Sequence, residues 1–196
     1  MSRLSRKFNV PDELANLYDF ANSLDVRRFT HHGVQHPQSD ELMEPRGLGA
    51  WLSERGLSRS GAKVTREMLG AALQLRTDIR VYLECDPAER RKNERVVGLL
   101  DEALERFPLI VQAGRDGFTL RACRDDALAG LSAVVAELYN GSTSGTLDRL
   151  KMCAAEECRR VFFDRSKPAT RRWCMSTLCG NRMKTRAYRA RRRAAD

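Results

Sequence analysis

Two cysteine pairs decide how the last quarter of this 196-residue chain can fold. Cys153/Cys158 and Cys174/Cys179 are each of the form C-x4-C, and 15 residues separate the pairs. Thiolates on two tight turns at that separation can close around one tetrahedral ion, which ties distant backbone together without a large apolar core. Two disulfides, or four cysteines that are simply buried, are the competing readings. Disulfides need an oxidising compartment, yet the opening MSRLSRKFNV runs into Pro-Asp-Glu rather than the apolar stretch of an export signal. Chance burial rarely produces two matched pairs. The spacing therefore predicts one structural zinc ion held by Cys153, Cys158, Cys174 and Cys179, with no position left open for catalysis.

Charge is distributed as unevenly as cysteine. The formal net charge is +9, but from Gly141 onward there are 15 Lys/Arg and 5 Asp/Glu, leaving 20 and 21 for the first 140 residues. Four thiolates and a divalent cation together remove two positive charges, so the C-terminal segment stays at about +8 and calls for a polyanionic partner. No acidic residue occurs between Asp164 and Asp196 to neutralise it. No apolar run approaches the roughly 18 residues a bilayer span needs, so no membrane partner is expected. With the reduced cysteines, this points to the cytoplasm. Cys85 and Cys123 read as small, buried or semi-buried residues.

The residues around the second pair carry a resemblance. Trp173-Cys174 followed by Cys179-Gly180-Asn181-Arg182 resembles the CGNR zinc finger, a bacterial module, over about residues 145 to 193. Ahead of it, FANSLD (Phe20 to Asp25), AWLSERGL (Ala50 to Leu57) and LDRLKMC (Leu147 to Cys153) are similar to the ABATE domain, which precedes this finger in stress-induced transcription regulators. The resemblance implies DNA binding through the finger.

Hydrophobic content of 42% over this length suffices for one cored domain and a small module. The pattern predicts an α+β protein: a mostly helical first domain (1–141) with a small β-hairpin, then a treble-clef-like four-cysteine finger (142–196) ending in a basic helix. Pro11 and the spacing of Leu14, Leu17, Tyr18, Ala21 and Leu24 predict a helix over 11–28. Periodicity is lost over 30–46, where His31, His32 and His36 lie; a solvated loop and a metal- or phosphate-binding loop are both open there. Trp51, on a short helix over 47–56, is a core residue or the cap of a ligand cleft. The next helix, capped by Ser58 or Ser60, reaches Glu84, and another ends at Phe107. Leu109–Ala113 and Phe118–Cys123, flanking Gly114 and Gly117, predict a hairpin. A last helix begins near Asp125 or Asp126 with Gly141 as its C-cap, and 142–145 form the linker.

Within the finger, Arg160–Asp164 and Arg171–Cys174 are expected to pair as strands, with Phe162 or Phe163 and Trp173 beside the metal. Cys179 should open a helix reaching Arg193. At about 100° per residue, Arg182, Arg186, Arg189 and Arg193 share a narrow wedge, and Met183, Ala187, Ala190 and Ala194 form an adjacent small apolar stripe that can pack on the finger. Arg186, Arg189, Arg192 and Arg193 are the expected phosphate contacts. Asn181 and Arg182 either reach base edges or cap the helix and brace the cysteine loop. The partner expected is DNA, with RNA, a small-molecule effector and a second copy of the chain as further candidates. No phosphate loop, nucleophile elbow or H-E-x-x-H helix is present, and no enzymatic role is expected.

Overall fold

The computed structural model describes residues 3–31, 33–58, 63–115 and 117–194. After a single turn, α1 (Leu4–Lys7), the chain passes through a 3-10 turn into α2 (Ala15–Ala21). This helix is shorter than its apolar spacing predicts. Asn22 and Ser23 turn their side chains inward to tertiary and backbone partners, and β1 (Leu24–Asp25) follows. A small hairpin, β2 (Thr30–His31) with β3 (Val34–Gln35), precedes β4 (Ser39–Asp40), which returns to pair antiparallel with β1.

Pro45 opens α3 (Pro45–Glu54), whose Leu48, Trp51 and Leu52 are buried. Trp51 is a core residue, edge-on to Phe20 at 5.5 Å and covered by the Arg55 guanidinium. The long helix α4 (Arg66–Glu84) is capped by Thr65, whose hydroxyl accepts from Met68 N–H; Ser58 does not serve, and Ser60 lies outside the described residues. Its Leu69, Ala72, Leu75, Ile79 and Leu83 recur at helical spacing and are buried, so α4 packs against α2, α3 and α5 (Glu94–Leu104).

The predicted hairpin forms as β5 (Leu109–Gly114) and β6 (Gly117–Ala122). Asp126 then caps a 3-10 turn that runs into α6 (Ser132–Ser144). The segment expected as a linker is the last turn of this helix, and Gly145, at φ +77°, provides the left-handed cap that the sequence suggests for Gly141. Gly141 serves packing instead, since a Cβ there would lie 2.7 Å from Leu14 Cδ2.

From Gly145 the chain enters β7 (Leu150–Met152), which pairs antiparallel with β8 (Val161–Phe163), and it closes with α7 (Asn181–Arg193). The strand partner of 161–163 is therefore β7, not 171–174. Leu147, Leu150 and Val161 are buried in the body's own core, so this second hairpin grows from the body. Arg90, fully buried, donates to the carbonyls of Leu147, Cys85 and Leu150 and supports the approach to β7 from below.

Candidate metal centre

Hairpin β7–β8 presents the first cysteine pair on its connecting turn. Cys153 N–H donates to Arg160 C=O at 2.8 Å, and the amides of Cys158 and Arg159 both donate to Ala155 C=O. Arg159 takes a left-handed conformation, φ +50°, unusual for a residue with a Cβ. The body holds it there, because Arg80 donates to its carbonyl at 3.0 Å and Glu84 pairs with its guanidinium. Burial pushes the Arg80 pKa down to about 10, with Arg76 and Arg159 adding to the effect.

The second pair is brought across by backbone and arginine bonds. Ala154 N–H donates to Arg172 C=O at 2.9 Å, and Arg171 donates to Cys174 C=O at 2.7 Å. A wide turn, Ser176–Gly180, delivers Cys179 at the entry to α7. Asp164 fixes the intervening loop. It is fully buried and accepts from Ser166, from the Arg171 amide and from Lys151 Nζ; burial alone would raise its carboxyl, but these bonds hold it at about 2.

All four Sγ atoms lie within 4.8 Å of one another, with Cys158–Cys174 at 3.6 Å and Cys174–Cys179 at 3.7 Å. Thiolates bound at about 2.3 Å to a tetrahedral zinc ion stand about 3.8 Å apart, so the quartet fits that ion. Crowded thiols share charge: hydrogen bonds from Cys158, Cys174 and Cys179 pull the Cys153 thiol down, while the bonds to Cys153 and its neighbours push Cys174 up. A divalent cation is what allows all four to ionise together. Among the described residues this is the one group of metal-ligating side chains that converges. These cysteines form a zinc site, and four protein ligands make it a structural one.

The wall of the centre opposite the β7–β8 hairpin comes from Arg28, Phe29 and His36, which flank β2 and β3. Phe29 is buried with Cys153, Ala155, Cys158, Phe162 and Cys179, and Trp173 packs against the same group. Phe162 is thus the phenylalanine beside the metal, while Phe163 packs on the body core. Arg28 N–H donates to Glu157 C=O at 2.9 Å, and His36 stacks on Phe29 while its Nε2 lies 3.0 Å from Asp25 Oδ2. Burial would raise the Asp25 carboxyl, but bonds from Arg27 and His36 hold it below the usual carboxylate range. Of the other two histidines, His31 is exposed on β2 and His32 lies outside the described residues. Cys123 is exposed and Cys85 half-buried.

The CGNR residues are all engaged around this centre. Cys179 is buried in it, Asn181 donates to Thr177 C=O at 3.0 Å, and Arg182 donates to Glu157 at 2.6 Å with its guanidinium 4.2 Å from the Phe29 ring centroid. A Cβ at Gly180 would meet Trp173 at 3.6 Å, an ordinary contact, so close packing does not require the glycine. Arg186 also pairs with Glu157. Beyond Met183 the helix leaves the protein. Every described residue from Lys184 onward is exposed, including Ala187, Ala190 and Ala194, so of the expected apolar stripe only Met183 packs on the finger.

Phe29, Arg27 and Glu157 are the contributors that the sequence reading missed. The one signal for Phe29 is a large aromatic alone in a basic, irregular stretch.

An α+β body carrying a four-cysteine zinc site and an exposed basic helix defines a zinc-finger protein. The chain matches the CGNR zinc finger over residues 149–192 and the ABATE family, described as a putative stress-induced transcription regulator, over residues 16–156. The second match spans most of the chain, and the protein belongs to the ABATE family. Both matches include 149–156, the strand and first cysteine that body and finger share. No curated protein matches the chain. No helix among the described residues is long and apolar enough to cross a membrane.

Proposed function

We propose that the protein is a bacterial, cytoplasmic transcription regulator that binds duplex DNA through α7, with the ABATE body supplying the input, through a bound effector or a second copy. The observation that carries this reading is the exposure of α7 on all sides from Lys184, with Arg186, Arg189, Arg191, Arg192 and Arg193 on it and no acidic residue between Asp164 and Asp196. Repulsion along such a helix needs a polyanion to offset it. The zinc ion supplies no reaction; it orders the turn from which α7 projects. Arg186, Arg189, Arg192 and Arg193 are the phosphate contacts. Asn181, exposed at the helix base, can reach a base edge, whereas the bonds made by Arg182 to Glu157 and Phe29 favour a positioning role.

The test is the salt dependence of duplex DNA binding by the full, zinc-loaded chain, followed by anisotropy. Four phosphate contacts give a slope of log affinity against log salt of about −3.6. Binding that is absent, or that does not respond to salt, would overturn the proposal. Preference for structured RNA over duplex in competition would redirect it to RNA.

A further inference from the structure

Hairpin β5–β6 has two unlike faces. From the register Val111↔Leu120 and Ala113↔Phe118, one face carries Leu109, Val111, Ala113, Phe118, Leu120 and Ala122, all apolar, and the other is mixed, with Ile110, Gln112, Thr119 and Arg121. Only the base of the apolar face is covered. Leu109 and Leu120 are half-buried, while Val111 is 68% and Phe118 80% exposed. Beside it an open groove of about 670 Å³ runs along α5 and α6, walled by Val97, Leu104, Leu138, Tyr139, Val111 and Leu120. A protruding apolar tip and an apolar groove therefore lie side by side on one surface.

A two-stranded hairpin gains little stability in water unless its apolar face is covered, and an uncovered apolar strand is a template for association. Three occupants can be weighed. A small molecule filling the groove would leave Phe118 bare, since Phe118 is not among the residues lining it. A charged partner finds no matching field, because the charged residues lining the groove, Arg91 and Asp101, are of opposite sign. A second copy covers both features at once, since in a two-fold contact each tip enters the other's groove, and nearly neutral bodies meet without repulsion.

We propose that the protein forms a two-fold homodimer through hairpin β5–β6, with Phe118 of each copy seated in the groove of the other. This association is independent of nucleic-acid binding. The test is sedimentation equilibrium of the full, zinc-loaded chain and of three variants, with zinc content and helical circular dichroism confirming that each is folded. Wild type and Thr119→Glu, changed on the polar face, are expected at twice the 22.3 kDa of the chain. Phe118→Glu is expected at the single mass, its dimer dissociation constant raised about 100-fold or more. Val111→Lys should behave as Phe118→Glu does, and its open site tolerates the change if Phe118→Glu misfolds. A monomeric wild type at tens of micromolar would overturn the proposal, as would dimers that persist in both apolar-face variants. So would a monomer carrying a copurified apolar molecule by native mass spectrometry, which would assign the groove to a ligand.

Discussion

The body buries one continuous apolar cluster running from Val10 to Val161, whereas the cluster at the finger consists of Phe29, Cys153, Ala155, Cys158, Phe162 and Cys179, half of it thiol. The first can form by burial alone. The second cannot, because six residues remove too little apolar surface from water to offset the entropy of ordering three turns and a helix. Between them lies hairpin β7–β8, whose Leu150 and Val161 belong to the first cluster while Cys153, just beyond β7, belongs to the second. A polar seam joins the two. Asn22 donates to Val161 C=O and accepts from Val161 N–H, both at 3.0 Å, and Arg80 bridges the carbonyls of Ala21 and Arg159. The boundary between burial and metal thus falls inside a hairpin, not in a linker.

Removing the metal should separate the two halves most sharply. Structural zinc sites of this kind contribute about 10–16 kcal/mol at neutral pH. Chelation, or Cys179→Ser, is expected to abolish protection from hydrogen exchange over 165–193 and to lower zinc from one ion per chain to none. The amides of β7 and β8 should stay protected, because Leu150 and Val161 remain in the body core. Exchange that spreads through β7 and β8 as well would mean that the ion, not the body, holds the hairpin.

Asn22→Ala tests the seam. Both of its polar atoms are committed to Val161, and removing them leaves a buried N–H and C=O without partners, at a cost of about 2–4 kcal/mol. The loss should register in urea unfolding of the body and equally as weaker zinc retention in a chelator competition. A drop confined to the body would show that the finger does not depend on the seam.

Much of this contrast was legible in the sequence, for local reasons. The spacing of the cysteines points to an ion, and the alternation over 109–122 points to a hairpin. The charge imbalance follows from counting. What was illegible is non-local. Gly141 reads as a cap from local sequence, yet the helix runs on to Ser144, Gly145 takes the left-handed cap, and Gly141 packs beside Leu14. Residues 161–163 could pair with either flank, and burial of Leu150 settles on β7. The helix ends at Ala21 because Asn22 has a partner 139 residues away, and Phe29 reaches the metal centre across a similar separation.

Within the body, a change of pH acts through Glu137. Glu137 accepts from Leu17 N–H at 2.7 Å and Asn16 Nδ2 at 2.6 Å, but burial outweighs these bonds and pushes its carboxyl from 4.5 up to about 6. Below 4.5 the group is protonated in both states, and its stabilising contribution is complete. As pH rises toward 6 the unfolded chain ionises first, so stability falls by about 2 kcal/mol and then levels. Glu137→Gln should abolish that fall, measured as the difference between the two proteins in urea unfolding from pH 4.5 to 7. Parallel curves would show that the carboxyl ionises normally.

The smallest effects distinguish two arginines on one helix. Arg182→Gln removes the charge and the planar group that lies over Phe29 and reaches Glu157, so it should lower finger stability by about 1 kcal/mol and leave the salt slope of DNA binding unchanged. Arg189 is exposed, so Arg189→Ala should change stability by less than about 0.5 kcal/mol and flatten the slope by about 0.9. If Arg182→Gln flattens the slope and Arg189→Ala does not, the assignment is reversed: the base of α7 meets the phosphates and its exposed end carries only solvated charge. The division matters because Glu157 can hold Arg182 inside the protein only if phosphate does not compete for it. The first turn of α7 then serves the metal centre and its exposed end the partner, with Arg186, which also pairs with Glu157, between the two.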